Sequence, residues 1–105
     1  MAEAYKKLGQ GILSGGVDTL YTVPGSTEAI VKHITLVNYS VSNRTVKLWH
    51  DGNADTNYIM PEVTIQAGGW AEFDGVICME AADTLKADAS AATSITYTIH
   101  GLEKS

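Results

Sequence analysis

From residue 17 onward, apolar and polar side chains alternate with period two, the rhythm of strands that bury one face. Leu20-Tyr21-Thr22-Val23 predicts a short strand stopped at Pro24-Gly25, where proline presets φ and the following glycine permits the turn. Residues 27–39 predict a long strand with Ile30, Ile34, Leu36 and Asn38 on one face and Val31, His33, Thr35 and Val37 on the other. Both faces carry some apolar area, which places this strand inside a layered structure. Residues 40–44 supply the small polar side chains of a hairpin loop, and residues 45–50 alternate again with Val46 and Leu48 inward.

Residues 51–57 have nothing to bury and form the clearest exposed loop of the chain. Strand character returns at residues 58–60. Pro61 cannot donate to a ladder, so it marks a strand start or an edge, and Val63 and Ile65 lead to a turn at Ala67-Gly68-Gly69. Residues 70–74 put Ala71 and Phe73 on one side, and Asp74-Gly75 reads as a hairpin turn into residues 76–79. Strands at 83–87 and 94–100 complete the pattern. About eight strands at short spacing predict an all-β fold, a single antiparallel β-sandwich or jelly roll.

The first sixteen residues differ, because Ala, Gly and Lys without periodicity bury too little surface to order alone. Residues 2–8 are the only helix candidate and are too short to hold without docking. The expected organisation is therefore an extended N-terminal arm over residues 1–16 and a sandwich domain over residues 17–105. The arm is expected to order on a neighbouring subunit or the shell beneath, through Tyr5, Lys6, Lys7, Leu8, Ile12 and Leu13.

Composition narrows the function. A chain of 105 residues with 45% apolar and 18% charged residues holds one hydrophobic core. A net charge of -5, with the basic residues scattered, argues against nucleic acid as the partner. No apolar run reaches membrane-spanning length, and the N-terminus lacks the basic-then-apolar pattern of a secretion signal, so neither a membrane nor export is expected. Without export, the sequons at Asn38 and Asn43 read as turn chemistry. The single Cys78 cannot pair within the chain and reads as a small buried hydrophobe.

Catalytic patterns are missing. No Gly-x-Ser-x-Gly segment places a nucleophile, and Gly9-Gln10-Gly11 begins a phosphate-loop pattern that Ser14 interrupts. His33, His50 and His100 have no short metal-ligand spacing. Asp51, Asn53, Asp55 and Asn57 alternate like calcium-loop ligands, with Glu62 at the place of the bidentate carboxylate. However, Thr56 holds the position that needs glycine and the flanks read as strands, so a plain solvated loop is preferred. No enzyme and no cofactor are expected.

The binding case rests on aromatic residues that the core pattern leaves over. Trp49 and Trp70 fall out of phase with the inward residues of their strands, and Tyr58 sits at a loop edge. Exposed aromatics contribute most when an interface covers them. Packing under a loop or in a second core layer is the competing reading for both tryptophans.

The run Lys7-Leu8-Gly9-Gln10, then Leu20-Tyr21-Thr22-Val23-Pro24, Ala29-Ile30-Val31-Lys32 and Asn38, resembles a family of short bacteriophage virion proteins. Val63-Thr64-Ile65 before Ala67-Gly68-Gly69, Glu72-Phe73-Asp74-Gly75, Asp83-Thr84-Leu85-Lys86-Ala87 and Ile99-His100-Gly101 agree with it. The resemblance implies a β-sandwich made in the host cytoplasm and built into a phage particle. Its place there would be as a capsid decoration protein or as part of the neck, tail or fibre, with no catalytic residues. Implied partners are the major capsid protein or other virion proteins, together with copies of the chain itself. The rival expectation is a carbohydrate-binding module in which Trp49, Trp70 and Tyr58 form a sugar platform beside the Asp-rich loop.

Overall fold

Residues 3–52 and 55–104 are described in a computed structural model of the chain. Eight strands run in chain order: β1 (Glu3–Ile12), β2 (Val17–Thr22), β3 (Glu28–Asn38), β4 (Arg44–His50), β5 (Tyr58–Ile65), β6 (Trp70–Met79), β7 (Thr84–Ala89) and β8 (Ile95–Lys104). A 3-10 turn at Asp55–Asn57 precedes β5. They form two four-stranded antiparallel sheets, A in the order β1-β8-β3-β6 and B in the order β2-β7-β4-β5. This is a jelly roll: the chain acts as one long hairpin ribbon pairing β1 with β8, β2 with β7, β3 with β6 and β4 with β5. Wrapping that ribbon brings β8 beside β3 and β7 beside β4.

The core is the seam between the sheets. Val31, Ile34, Leu36, Val46, Leu48, Leu85, Ile95 and Ile99 are fully buried. Each such side chain stabilises the fold by about 1.5–3 kcal/mol. The inward placement of Val46 and Leu48 agrees with their alternation in the sequence.

Several expectations are corrected. Residues 3–12 are neither helix nor detached arm: they are the edge strand β1, in register with β8 from Glu3 opposite Lys104 to Ile12 opposite Thr96. Leu8 is half-buried against the core, and Leu13 is fully buried and so not available to a partner. Gly11 shows why local composition misled: the Tyr97 ring lies over it, 3.1–3.3 Å from where a Cβ would stand. Glycine is needed for that packing, and β8 supplies the order that β1 lacks by itself.

Asp74-Gly75 is not a turn, since β6 runs through it. Residues 39–43 are not a hairpin either, because β3 lies in sheet A and β4 in sheet B. The alternation in β3 also breaks. Lys32 is an extra residue between Val31, opposite Gly101, and His33, opposite His100. Leu8 is likewise extra in β1, and β6 shifts register at Gly75 and Val76. These irregularities lie in one line across sheet A, bend it, and exchange the expected faces of Ile30 and Val31. Val31 is buried, and Ile30 faces outward beside Cys78.

A polar latch joins the two sheets at one edge. Lys6 Nζ of β1 lies 2.7 Å from Glu103 of β8, and the Tyr21 hydroxyl of β2 donates to the same carboxylate. Hydrogen bonds from Lys6 and then Tyr21 hold the Glu103 carboxyl below its ordinary range, against the opposing effect of burial. Burial first, then the hydrogen bond and charge of Glu103, push the Tyr21 phenol above its ordinary value. A depressed carboxyl pKa stabilises the fold above the ordinary glutamate range, and that contribution is lost as pH falls through the depressed value. The raised phenol behaves oppositely, its contribution fading as pH climbs past the ordinary tyrosine value. Glu103→Gln is expected to cost about 1–2 kcal/mol at neutral pH and far less once pH has fallen well below the ordinary glutamate range, read from urea unfolding at both.

Candidate assembly surface

The outer face of sheet A is organised in rows that cross all four strands. One row runs Ile12, Thr96, Val37, Trp70; the next Gln10, Thr98, Thr35, Glu72; the third Lys7, His100, His33, Asp74; the fourth Tyr5, Leu102, Ile30, Cys78. Ile12, Val37 and Trp70 thus make one end of the face largely apolar and Leu102 and Ile30 the other, with polar side chains in the middle. Within the polar belt, His33 Nε2 lies 3.3 Å from Glu72 and His33 Nδ1 lies 3.2 Å from the Thr35 hydroxyl. Sequence reasoning could not pair His33 with His100, because only the β3-β8 register brings them together.

The first row is the more exposed apolar feature. Trp70 is 67% exposed and Ile12 56%, and the adjoining loop adds Tyr39 and the almost fully exposed Val41. Ile12 and Trp70 stand on the two edge strands, so each edge of the sheet presents a large apolar side chain to solvent, as an interaction site would. Asn38 positions this row. This fully buried side chain donates to the carbonyls of Ser42 and Ile65 at 2.9 Å and accepts from Ser40 N and Oγ at 3.0 and 2.7 Å. Its backbone bonds Gly68 and Gly69, in the turn that launches Trp70. Asn43 Oδ1 accepts from Ala67 N in the same region. Both sequon asparagines therefore do turn chemistry.

At the opposite end of the face, Ile30, Leu102, Cys78, Glu28, Glu80 and Lys104 line an apolar groove of about 330 Å³. The expectation of a buried Cys78 is corrected here: its side chain is exposed, while Ile77 and Met79 face inward. Among the arm candidates, Lys6 serves the latch and Lys7 is exposed, donating to its own neighbour Gln10 at 2.8 Å. Tyr5 stands opposite Leu102 in the register, and its side chain lies outside the described set.

Trp49 is corrected from an outward anchor to a covered residue, 4% exposed. It lies on the outer side of sheet B, stacked with Tyr58 at 5.5 Å between ring centres and 22° between planes. Its indole N–H has no hydrogen-bond partner among the described residues. Trp70 belongs to sheet A, so the three aromatics form no common platform. The second-layer reading holds for Trp49 and the exposed reading for Trp70.

The calcium candidates are also dispersed in role. The Asn57 amide donates to the carbonyls of His50 and Asp51, closing the loop, and Glu62 is exposed along β5. Asn53 lies outside the described residues, as does the side chain of Asp55. Beside this loop, in a cleft of about 590 Å³, Asp83 accepts from Glu80 N at 3.0 Å and faces His50 Nε2 at 3.2 Å. That pair ties residues 80–83 to β4. Among the described residues, no three His, Cys, Asp or Glu side chains converge as a metal site would require.

No protein-family model matches the chain, and no curated protein sequence does. Solved structures do share its fold. A chain of the acid-stable capsid of Helicobacter pylori bacteriophage KHP30 superposes with a TM-score of 0.61 at 14% identity, over 98% of this chain and 87% of that one. A chain of Bacillus endospore appendages, described as disulfide-linked pili, gives 0.59 at 12% identity, over 98% and 88%. The Drosophila NLP core, a structure bearing on pentamer formation and histone binding, gives 0.52 at 14% identity, over 95% and 100%. At such identities the likeness establishes the jelly-roll fold, which hosts many functions.

Proposed function

We propose that the chain is a structural protein of a bacteriophage virion, and within the particle a decoration protein seated on the outer shell through protein–protein contacts. The observation that carries this reading is the row in which Ile12 and Trp70 are exposed and Val37 half-buried, with the exposed Tyr39 and Val41 in the loop that follows Val37. A free-standing domain gains nothing from such a row in water, whereas a covering partner converts it into binding energy. The fold shared with a phage capsid chain supports the setting. A body of 45 × 26 × 21 Å suits a component that sits on a larger lattice. Many identical sites on a symmetric shell make modest affinity per copy sufficient. A place in the neck, tail or fibre uses the same surface and differs in the number of copies per particle. The carbohydrate-binding alternative loses its platform, because Trp49 and Tyr58 lie on the sheet opposite Trp70.

The test is co-sedimentation of tagged protein with phage particles prepared without it. Wild type is expected to pellet with the particles. Trp70→Asp should bind at least about thirtyfold more weakly, the usual scale for losing an aromatic hot spot, while its melting curve stays unchanged. Equal binding by the two proteins, or no binding by wild type, contradicts the reading.

A further inference from the structure

Sheet A ends in two strands that each pair on one side only. β1 and β6 are both ten residues long, and such edges leave a row of backbone N–H and C=O groups open to another chain. The edges of sheet B are blunted by comparison: β2 has six residues, and β5 carries Pro61, which has no N–H to donate. Each neighbouring pair in sheet A is antiparallel, so β1 and β6 run in opposite directions. A second copy moved sideways in the plane of sheet A would therefore bring its β1 antiparallel to β6 of the first.

The rows described above then continue from copy to copy. With register kept, and Leu8 staying out of the new ladder as it does against β8, Trp70 meets Ile12, Glu72 meets Gln10, and Asp74 meets Lys7 of the next chain. Apolar faces apolar, carboxylate faces amide, and acid faces base. Asp74 has no ion pair among the described residues, and the exposed Lys7 ammonium needs only to leave its own Gln10. The symmetric alternatives offer no such match: a β6 pair centred on Asp74 sets that carboxylate against its own copy, and a β1 pair centred on Lys7 does the same with two ammonium groups, arrangements that destabilise cross-strand neighbours.

We propose that copies of this chain join head to tail, β6 of one against β1 of the next, extending sheet A across subunits. The contact is heterologous, so it generates a ring or an open file of subunits. It carries the Ile12, Thr96, Val37, Trp70 row on from copy to copy and joins Trp70 of one chain to Ile12 of the next on the face turned to the particle. The inference rests on the particle role and names the chain's first partner as a second copy of itself.

Sedimentation of the isolated protein over a concentration series tests it. Wild type is expected to associate beyond a monomer. Lys7→Asp and Asp74→Lys should each weaken association about tenfold, and the Lys7→Asp/Asp74→Lys double variant should recover it, with melting curves alike throughout. A second arm uses the native Cys78, which shares its row with Tyr5 and meets it when Gly75 and Val76 stay out of the new ladder at the register shift of β6. Under oxidation Tyr5→Cys should give a covalent ladder on a non-reducing gel. A monomeric wild type, single variants that associate normally, a double variant that does not recover, or cross-linking that stops at dimers each overturns the contact. Particle preparations are assayed for the chain in parallel. Association by this route with no chain in any particle would uphold the contact and overturn the virion role; incorporation that ignores both edges would do the reverse.

Discussion

Gly101→Ala is expected to cost about 3 kcal/mol or more, and Gly101→Val to leave no cooperative unfolding transition. Gly101 faces inward where the line of bulges bends sheet A, between Lys6 of β1 and Val31 of β3. A Cβ there would overlap the Ile30 carbonyl oxygen and stand 2.9 Å from Leu8 Cδ1 and 3.1 Å from Val31 Cα. Two of these atoms belong to the backbone of β3, so relief requires parting β8 from its central neighbour. Gly25, whose added Cβ would meet nothing within 4 Å, is the control. Gly25→Ala should stay within about 0.5 kcal/mol of wild type in the same urea titration. Equal stability of the two alanine variants would show that sheet A is not bent as described.

Asn38→Asp should be nearly as damaging, at about 3 kcal/mol, seen as a fall in melting temperature of more than about 10 °C. The native amide fits because its NH2 has two carbonyl acceptors while its oxygen accepts two donors from Ser40. A carboxylate keeps the second pair and sets negative charge against the carbonyls of Ser42 and Ile65, in a site without solvent. Asn38→Leu removes the charge problem but leaves those carbonyls and Ser40 without their partner, so it should also destabilise. Because Asn38 organises residues 39–43 and the turn before Trp70, both variants should weaken particle binding beyond what their unfolded fraction explains. Binding that falls only in step with folding would separate Asn38 from the surface.

The alternation of side chains made most of the strands legible, and with them the inward Val46 and Leu48, the edge position of Pro61 and the outward Trp70. What it missed depends on neighbours distant in sequence. β1 is written in lysines and glycines because it is an edge strand ordered by β8, with Gly11 leaving room for Tyr97. The reversal of Ile30 and Val31 has no local signal, since the bulge at Lys32 matches irregularities in β1 and β6. Asp74-Gly75 carries hairpin chemistry, yet pairing of β6 with β3 on both sides of it overrides the turn preference. Trp49 shows the limit of phase arguments: it does point away from the core, and Tyr58 stacks on it there.

The face of sheet A could not be assembled from the sequence at all. Its rows join residues such as Lys7, His100, His33 and Asp74, which only the jelly-roll wrapping brings side by side. Ile12 and Lys7 are visible in the sequence only as members of the N-terminal segment, and Trp70 as an out-of-phase aromatic, without the geometry that relates them.

The most direct test of the account is to locate and count this chain in purified phage particles by cryo-electron microscopy and quantitative mass spectrometry. The account predicts eight-stranded density at symmetry-related positions on the shell, in many copies, with Trp70 and Val37 covered by protein. Particles that lack the chain, or that carry it with the outer face of sheet A open to solvent, would contradict it.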